Sequence, residues 1–458
     1  MDEPADNPAS EPPLQAGTAT DANATDIPQA AAGAGSEPAA SGSAPAVAAH
    51  AATDPATQVG VPQKSNFDLP SFDEYGQPFF ERDGLKFRIG PVHISMQLGL
   101  VSEYNDNIYA SETNAAAAMV VKIQPGIKVG MGDYKDQNED YLLLNYQPDF
   151  VYYMGYSDQD RVDQSLDLSG QATFSRFSTN VDLSYVDTNE PNATQTGRQS
   201  YQLFNFNWQN SYLLATKTSA QMGITITNQS YENGDEYTTY SVSPQIGYQF
   251  SPKTMFTFGP YAGIAYINSS SSSFDPNTGT TSGSNGTQTF QGATVGIIYN
   301  NLRKLKFTGV VGVQSRQFHG FNASAASNFT TPIFDFSVQW IISEKSTLNL
   351  EFARNVQISD FIEGLTYTND EVNFSINHQL TSHVSLRFGA SYQNLDYQGN
   401  SSEVRKEQYV SLIPTITYSF WRNQCSLMAY YRRQQRTSTL ELNGYIVNTY
   451  GVQFNYQF

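Results

Sequence analysis

The sequence predicts an all-β chain: a transmembrane, antiparallel, up-and-down β-barrel of about eighteen strands, with sixteen as the runner-up count. Three observations predict it. Apolar and polar residues alternate with period two over almost all of residues 86–458. The connections between alternating segments are short and long by turns, and aromatic residues gather beside the short ones. A strand points successive side chains to opposite faces, so this alternation makes one apolar face and one polar face. In lipid, the apolar face meets hydrocarbon and the polar face meets a wet lumen.

Composition narrows the alternatives. The 458 residues include 29 Tyr and 28 Phe, yet only 15% are charged, and mean hydropathy is −0.43. No run of about 18 apolar residues occurs, so no membrane-spanning helix is expected. A secreted, amide-rich β-sandwich shares this composition, so the pattern of connections has to decide. A net charge of −18 argues against a nucleic-acid partner, since phosphate binding needs clustered Lys and Arg. The single cysteine, Cys425, excludes an intramolecular disulfide and a cysteine zinc site. The start, MDEPADNPAS, lacks the basic and apolar regions of a signal peptide, so an exported chain would here be in its mature form.

Three segments follow from the order of residues. Residues 1–66 are Ala, Pro, Gly, Ser, Thr and Asp almost without large apolar side chains, and are expected to be a disordered leader. Residues 67–85 bring the first aromatics and read as an adaptor or small plug. From 86 to 458 the barrel pattern is continuous. Val92, Ile94, Met96, Leu98 and Leu100 share one face, with His93, Ser95, Gln97 and Gly99 opposite. Equivalent apolar sets recur to the end of the chain, among them Phe204/Phe206/Trp208/Tyr212, Val242/Ile246/Tyr248/Phe250 and Leu348/Leu350/Phe352/Val356. Each segment has the roughly ten residues that a tilted membrane strand needs.

Short connections are expected at 174–178, 215–218, 251–254, 300–304, 343–346, 381–383 and 421–424. Long polar ones are expected at 186–199, 268–288, 319–328, 359–370 and 397–407, while GDYKDQNED at 132–140 is longer than a tight turn. Outer-membrane barrels place tight turns in the periplasm and long loops outside. An even strand number then puts both termini on the periplasmic side. Tyr248, Phe250, Phe256, Phe258, Trp340, Phe420, Trp421, Tyr456 and Phe458 lie beside short connections and read as an interfacial girdle.

In the last stretch, YGVQFNYQF, Tyr450, Val452, Phe454, Tyr456 and Phe458 share one parity. This resembles the C-terminal signal through which bacterial outer-membrane barrels meet the barrel-assembly machinery. Near the other end the chain reads MQLGLVSEYNDNIYAS. Gly99, Tyr104, Asn105, Asp106, Asn107, Ile108 and Tyr109 there resemble the type 2 β-barrel porins, a family with some members encoded beside exopolysaccharide secretion systems. The resemblance implies an outer-membrane barrel and leaves the cargo open.

Parity assigns Lys122, Lys128, Lys306, Arg316, Arg387 and Arg432 to the lumen, with Asp149, Asp167, Asp182, Asp335 and Glu351. Charges of both signs among many amides suit a polar pore, and equally a cross-strand network that braces the wall. Catalysis finds little support: His50, His93, His319, His378 and His383 are scattered, and only His319, near Ser315 and Asn322, lies by an outer loop. The acidic and amide oxygens around Asp106 read as an Asx-type turn before a calcium site. GTTSGSNGT at 279–287 precedes no helix, so no phosphate loop is expected. No cofactor and no metal are expected. The function read from these residues is a channel for small hydrophilic solutes or saccharides. The alternatives are an accessory pore for exopolysaccharide export, with a periplasmic partner, and a structural or adhesive surface barrel. Membrane lipid is the one partner every reading requires.

Overall fold

A computed structural model describes residues 87–134, 140–188, 200–232, 236–268, 273–275, 280–282, 286–301, 304–319, 328–358, 366–398, 406–421, 424–439 and 444–458. The leader at 1–66, the adaptor at 67–85 and the middles of the long connections lie outside the described residues. Eighteen long strands form the wall. They are β1 (Val92–Asn105), β2 (Ala118–Gly132), β3 (Tyr141–Tyr153), β4 (Arg161–Thr173), β5 (Phe177–Thr188) and β6 (Tyr201–Ala215). Then come β7 (Thr218–Tyr231), β8 (Glu236–Ser251), β9 (Thr254–Asn268), β10 (Gly286–Asn301), β11 (Leu305–His319) and β12 (Phe329–Ser343). The last six are β13 (Ser346–Ile358), β14 (Thr366–Gln379), β15 (Val384–Gln398), β16 (Lys406–Phe420), β17 (Cys425–Ser438) and β18 (Tyr445–Gln457).

Each strand pairs antiparallel with the next, and β18 pairs back to β1 from Gln97↔Gln457 to Asn105↔Thr449. The sheet is therefore a closed barrel in which every wall strand has a partner on both sides. Below the end of β18 the free side of β1 is covered by a short lead-in strand, Phe87–Ile89, folded back through Gly90 at φ 62°. The Phe458 N–H donates to the Met96 carbonyl at 2.9 Å, next to that strand.

Register places the expected apolar sets outward. Met96, Leu100, Leu142, Trp208, Ile246, Phe256, Val311, Phe388 and Val452 are all exposed on the outer face. The aromatic girdle forms at the short-turn end, with Phe250–Phe256, Phe420–Phe454 and Trp421–Tyr456 in ring contact. Strands also run further into several stretches read as loops: β5 continues to Thr188, β10 begins at Gly286 and β11 continues to His319.

One expectation fails. Val356 reads as lipid-facing, and Thr366–Asn369 as part of a polar loop; instead Val356 is fully buried and Thr366, Tyr367, Thr368 and Asn369 are 0–3% exposed. The cause is a departure from the wall. The β12–β13 ladder stops at Phe334↔Arg354, while the β13–β14 ladder continues to Ile358↔Thr366. Above Arg354 this hairpin has left β12, and both of its faces are covered.

Candidate functional site: the lumen

All eleven charged residues assigned to the lumen lie on the inward face by register. Lys122 is opposite Val101 and Val151, Lys128 opposite Asn145, and Asp149 opposite Asp163. Asp167 faces Ser184, Asp182 faces Asn207, and Lys306 is paired between Asn300 and Gln339. Arg316 is opposite Phe290, Asp335 opposite Val310, and Glu351 opposite Asn373. Arg387 faces Asn377, and Arg432 faces Thr449. Burial divides the set: Lys122, Arg316 and Arg432 are 8%, 1% and 5% exposed, whereas the other eight retain solvent access.

The three buried cations belong to a packed half at the long-loop end. At the closing seam, Glu103 of β1 meets Lys122 at 3.4 Å and Arg432 at 3.8 Å. The Tyr430 hydroxyl, reaching across β18, donates to Glu103 at 2.5 Å. That crossing requires Gly451, because a Cβ there would lie 2.2 Å from Tyr430 Cζ. Side chains of β17, β1 and β2 thus meet over β18 and tie the first strands to the last. A second buried pair, Arg436 with Glu407, lies further out on β17 and β16, and Tyr397 and Ser438 donate to the same carboxylate.

The connection after β1 folds onto this wall. The Asn107 N–H donates to Asn105 Oδ1 at 2.8 Å, an Asx turn, and Asn107 also holds both ends of the turn at Ser111. Asp106 accepts from the Asn448 backbone and side chain, each at 2.7 Å. Ala110 then packs on Tyr445 and Val447, while Ile108 packs with Ala118, Val120, Val151 and Tyr153. The Tyr104–Tyr109 motif therefore runs from the wall into a turn that packs onto the inner face. Tyr104 itself points outward opposite Tyr450.

The departed β13–β14 hairpin forms a strap across the opposite side. Ile358 packs against Tyr231, Tyr237 and Ile267 on the inner wall of β7–β9, with Tyr201 beside them. Arg316 fixes its stem, donating to the Val356 carbonyl and to Gln288 Oε1, each at 2.9 Å. The same guanidinium lies 5.1 Å from the Phe290 ring. Tyr367 stacks near Tyr397 at 5.1 Å and donates to Gln357.

Towards the short turns the lumen is lined differently. Gln97, Gln147, Asp149, Gln124 and Gln453 form a partly exposed chain of side-chain hydrogen bonds. Inward positions from β6 to β10 carry Asn, Gln, Ser, Thr, Gly, Tyr and apolar residues, with no charged side chain among the described residues. Among the described residues, inward charges lie on the arc from β11 round to β5.

Among the described residues the histidines stay apart. His319 contacts Thr289 at 3.3 Å on the outward face, His378 contacts Ser346 at 2.8 Å at the turn rim, and Asn322 lies outside the described residues. Among the described residues no group of His, Cys, Asp or Glu could hold a metal ion.

Residues 77–458 match the family described as "Putative beta-barrel porin 2". The chain belongs to that family. Solved structures with a similar arrangement include the apoprotein form of the FrpB iron transporter of Neisseria meningitidis. It shares 9% identity over 80% of this chain and 81% of that one, at a TM-score of 0.43. OccAB3 of Acinetobacter baumannii shares 10% over 80% and 99%, at 0.39. OccK11 (OpdR) of Pseudomonas aeruginosa shares 9% over 80% and 96%, at 0.37. No curated protein matches the sequence.

This porin-family barrel holds lumen residues that parity could have named: Glu103, Arg161, Asp163, Glu371, Glu407 and Arg436 all fall on the inward register. Their partners were not legible. Glu103 and Arg432 stand 329 positions apart in sequence, and only closure of the barrel brings them together.

Proposed function

We propose that the protein is an outer-membrane channel for small hydrophilic solutes, saccharides included, with its short turns and both chain ends in the periplasm. The observation that carries this reading is the turn half of the lumen. Its inward side chains are mostly amides, hydroxyls and charges of both signs; Gln97, Lys128, Asp182, Lys306, Glu351 and Arg387 keep contact with solvent, while Thr257, Thr417, Ser426 and Met428 are buried in the wall. Eighteen strands are enough to leave an aqueous channel unless something fills it. A neutral amide and hydroxyl wall facing a charged arc suits uncharged polar solutes, which gain hydrogen bonds from one side and are not repelled by the other.

The packed long-loop half favours a second reading, a barrel that is closed at rest or purely structural. Planar-bilayer recording separates the two. The channel reading expects discrete conductance from the purified protein, and glucose-polymer exclusion should locate the narrowing at the long-loop end. Absence of any conductance, both in the native chain and in a chain lacking residues 355–369, would put the structural reading ahead.

A further inference from the structure

The short turns carry a repeated feature that the lumen does not use. The residue immediately before β5, β7, β9, β11, β13 and β15 is Arg176, Lys217, Lys253, Lys304, Lys345 and His383, in that order. All six are exposed. Each also occupies the same structural position. Its carbonyl accepts a hydrogen bond of 2.7–2.9 Å from the adjoining strand: Leu213 to Arg176, Gln249 to Lys217, Asn300 to Lys253, Ile341 to Lys304, Gln379 to Lys345 and Ser419 to His383. Six successive hairpins therefore present a basic side chain from an anchored backbone, at one level round the rim.

Solvation alone does not account for this. The chain has 25 Lys and Arg against 43 Asp and Glu, yet this one turn position takes five of those 25 cations. The described connections at the other end carry carboxylates instead, among them Asp106, Glu112, Asp158, Asp160 and Glu232. Among the described residues the acidic ones at the basic end are Asp133, Asp140 and Glu344, and Asp140 accepts from the Thr173 N–H at 2.6 Å.

We propose that this rim is a docking surface for the headgroups of anionic phospholipids. The level is right. In the turns or just inside them lie Phe174, Trp421, Phe250 and Trp340, outward and 47–67% exposed, the belt that marks the headgroup boundary. A lysine stem runs along such a ring and carries its ammonium to the phosphate plane. Neighbouring cations are two strands apart, at least about 10 Å, so each meets a headgroup of its own. The ring would fix the depth of the barrel and gather acidic lipid around it.

Two of the three tryptophans, Trp340 and Trp421, sit at this rim, and the third, Trp208, lies on β6 seven residues from its turn end. A Trp208→Phe protein in phosphatidylcholine vesicles therefore reads the rim directly. At equal mole fraction, brominated phosphatidylglycerol should quench it as if about threefold or more enriched over brominated phosphatidylcholine. Replacing Arg176, Lys217, Lys253, Lys304 and Lys345 together by Gln should return the ratio to one, and replacing the four lysines by Arg should preserve it. Addition of 1 M salt to the unsubstituted rim should also abolish the preference, about 3 Å being the screening length there. A ratio near one before substitution, a preference that survives the Gln variant or the salt, or a stronger preference for brominated lipid A would each overturn the proposal.

Discussion

The two halves of the lumen use similar residues to opposite ends. In the turn half, Lys128, Lys306 and Arg387 stand among amides and keep solvent contact. In the long-loop half, Lys122, Arg316 and Arg432 have the same parity and the same charge, yet each is buried against a carboxylate, a carbonyl or a ring. Parity decides which face a side chain takes. Whether that face is pore or brace is decided by what folds back over it, and here that is the connection at 106–117 and the strap from β13–β14.

The largest difference expected between the halves is in stability. Glu103→Gln leaves Lys122 and Arg432 buried without their counter-charge, which should cost about 3–5 kcal/mol. Glu351→Gln, in the solvated turn half, should cost less than about 1 kcal/mol. Urea unfolding of the two variants in lipid vesicles checks this, and equal losses would erase the distinction. Gly451→Ala attacks the same seam by shape. It displaces Tyr430 from the Glu103 carboxylate and should cost about 1–3 kcal/mol, measured in the same way.

The strap is the next test. Ile358→Ala removes its anchor in the Tyr231–Tyr237–Ile267 shelf, a loss of about 2 kcal/mol or more. That is enough to shift a closed-to-open ratio about thirtyfold. Arg316→Gln should add to it by freeing the Val356 carbonyl. Both variants should raise single-channel conductance or open probability in bilayers, while the wall stays folded. Unchanged recordings would mean that the strap is packing and no barrier.

The fold was legible because it is periodic. Alternation needs no knowledge of neighbours, so strand number, outward faces and the aromatic girdle follow from local sequence. The strap was not legible, for a physical reason. Val356 continues the pattern of Leu348, Leu350 and Phe352, and the one mark in that run is Arg354, a charge on the same parity at the point where β13 stops pairing with β12. Tyr367 offered a hint, a large ring in a stretch otherwise read as loop. The motif at Tyr104–Tyr109 was half legible. Its Asx turn follows from Asn105 and Asn107, but its grip on Asn448 depends on barrel closure across 342 positions.

The smallest effect expected is on ion selectivity, and it sharpens the comparison most. Lys128, Lys306 and Arg387 keep solvent contact in the turn half, so a passing ion feels their field. Neutralising them together, as Lys128→Gln, Lys306→Gln and Arg387→Gln, should move the reversal potential in a salt gradient towards cation preference. The shift should be modest, because Asp149, Asp167 and Asp182 already lie on the same charged arc, and it should shrink as salt rises and shortens the screening length from about 8 Å at physiological strength. Lys122→Gln and Arg432→Gln neutralise equal charges on the same parity, but behind Glu103 and out of solvent. They should weaken the barrel and leave selectivity nearly unchanged. If instead the buried pair shifts the reversal potential as much as the solvated three, ions pass close to the seam. The long-loop half would then be part of the conducting path, with the narrowing at some other level of the barrel.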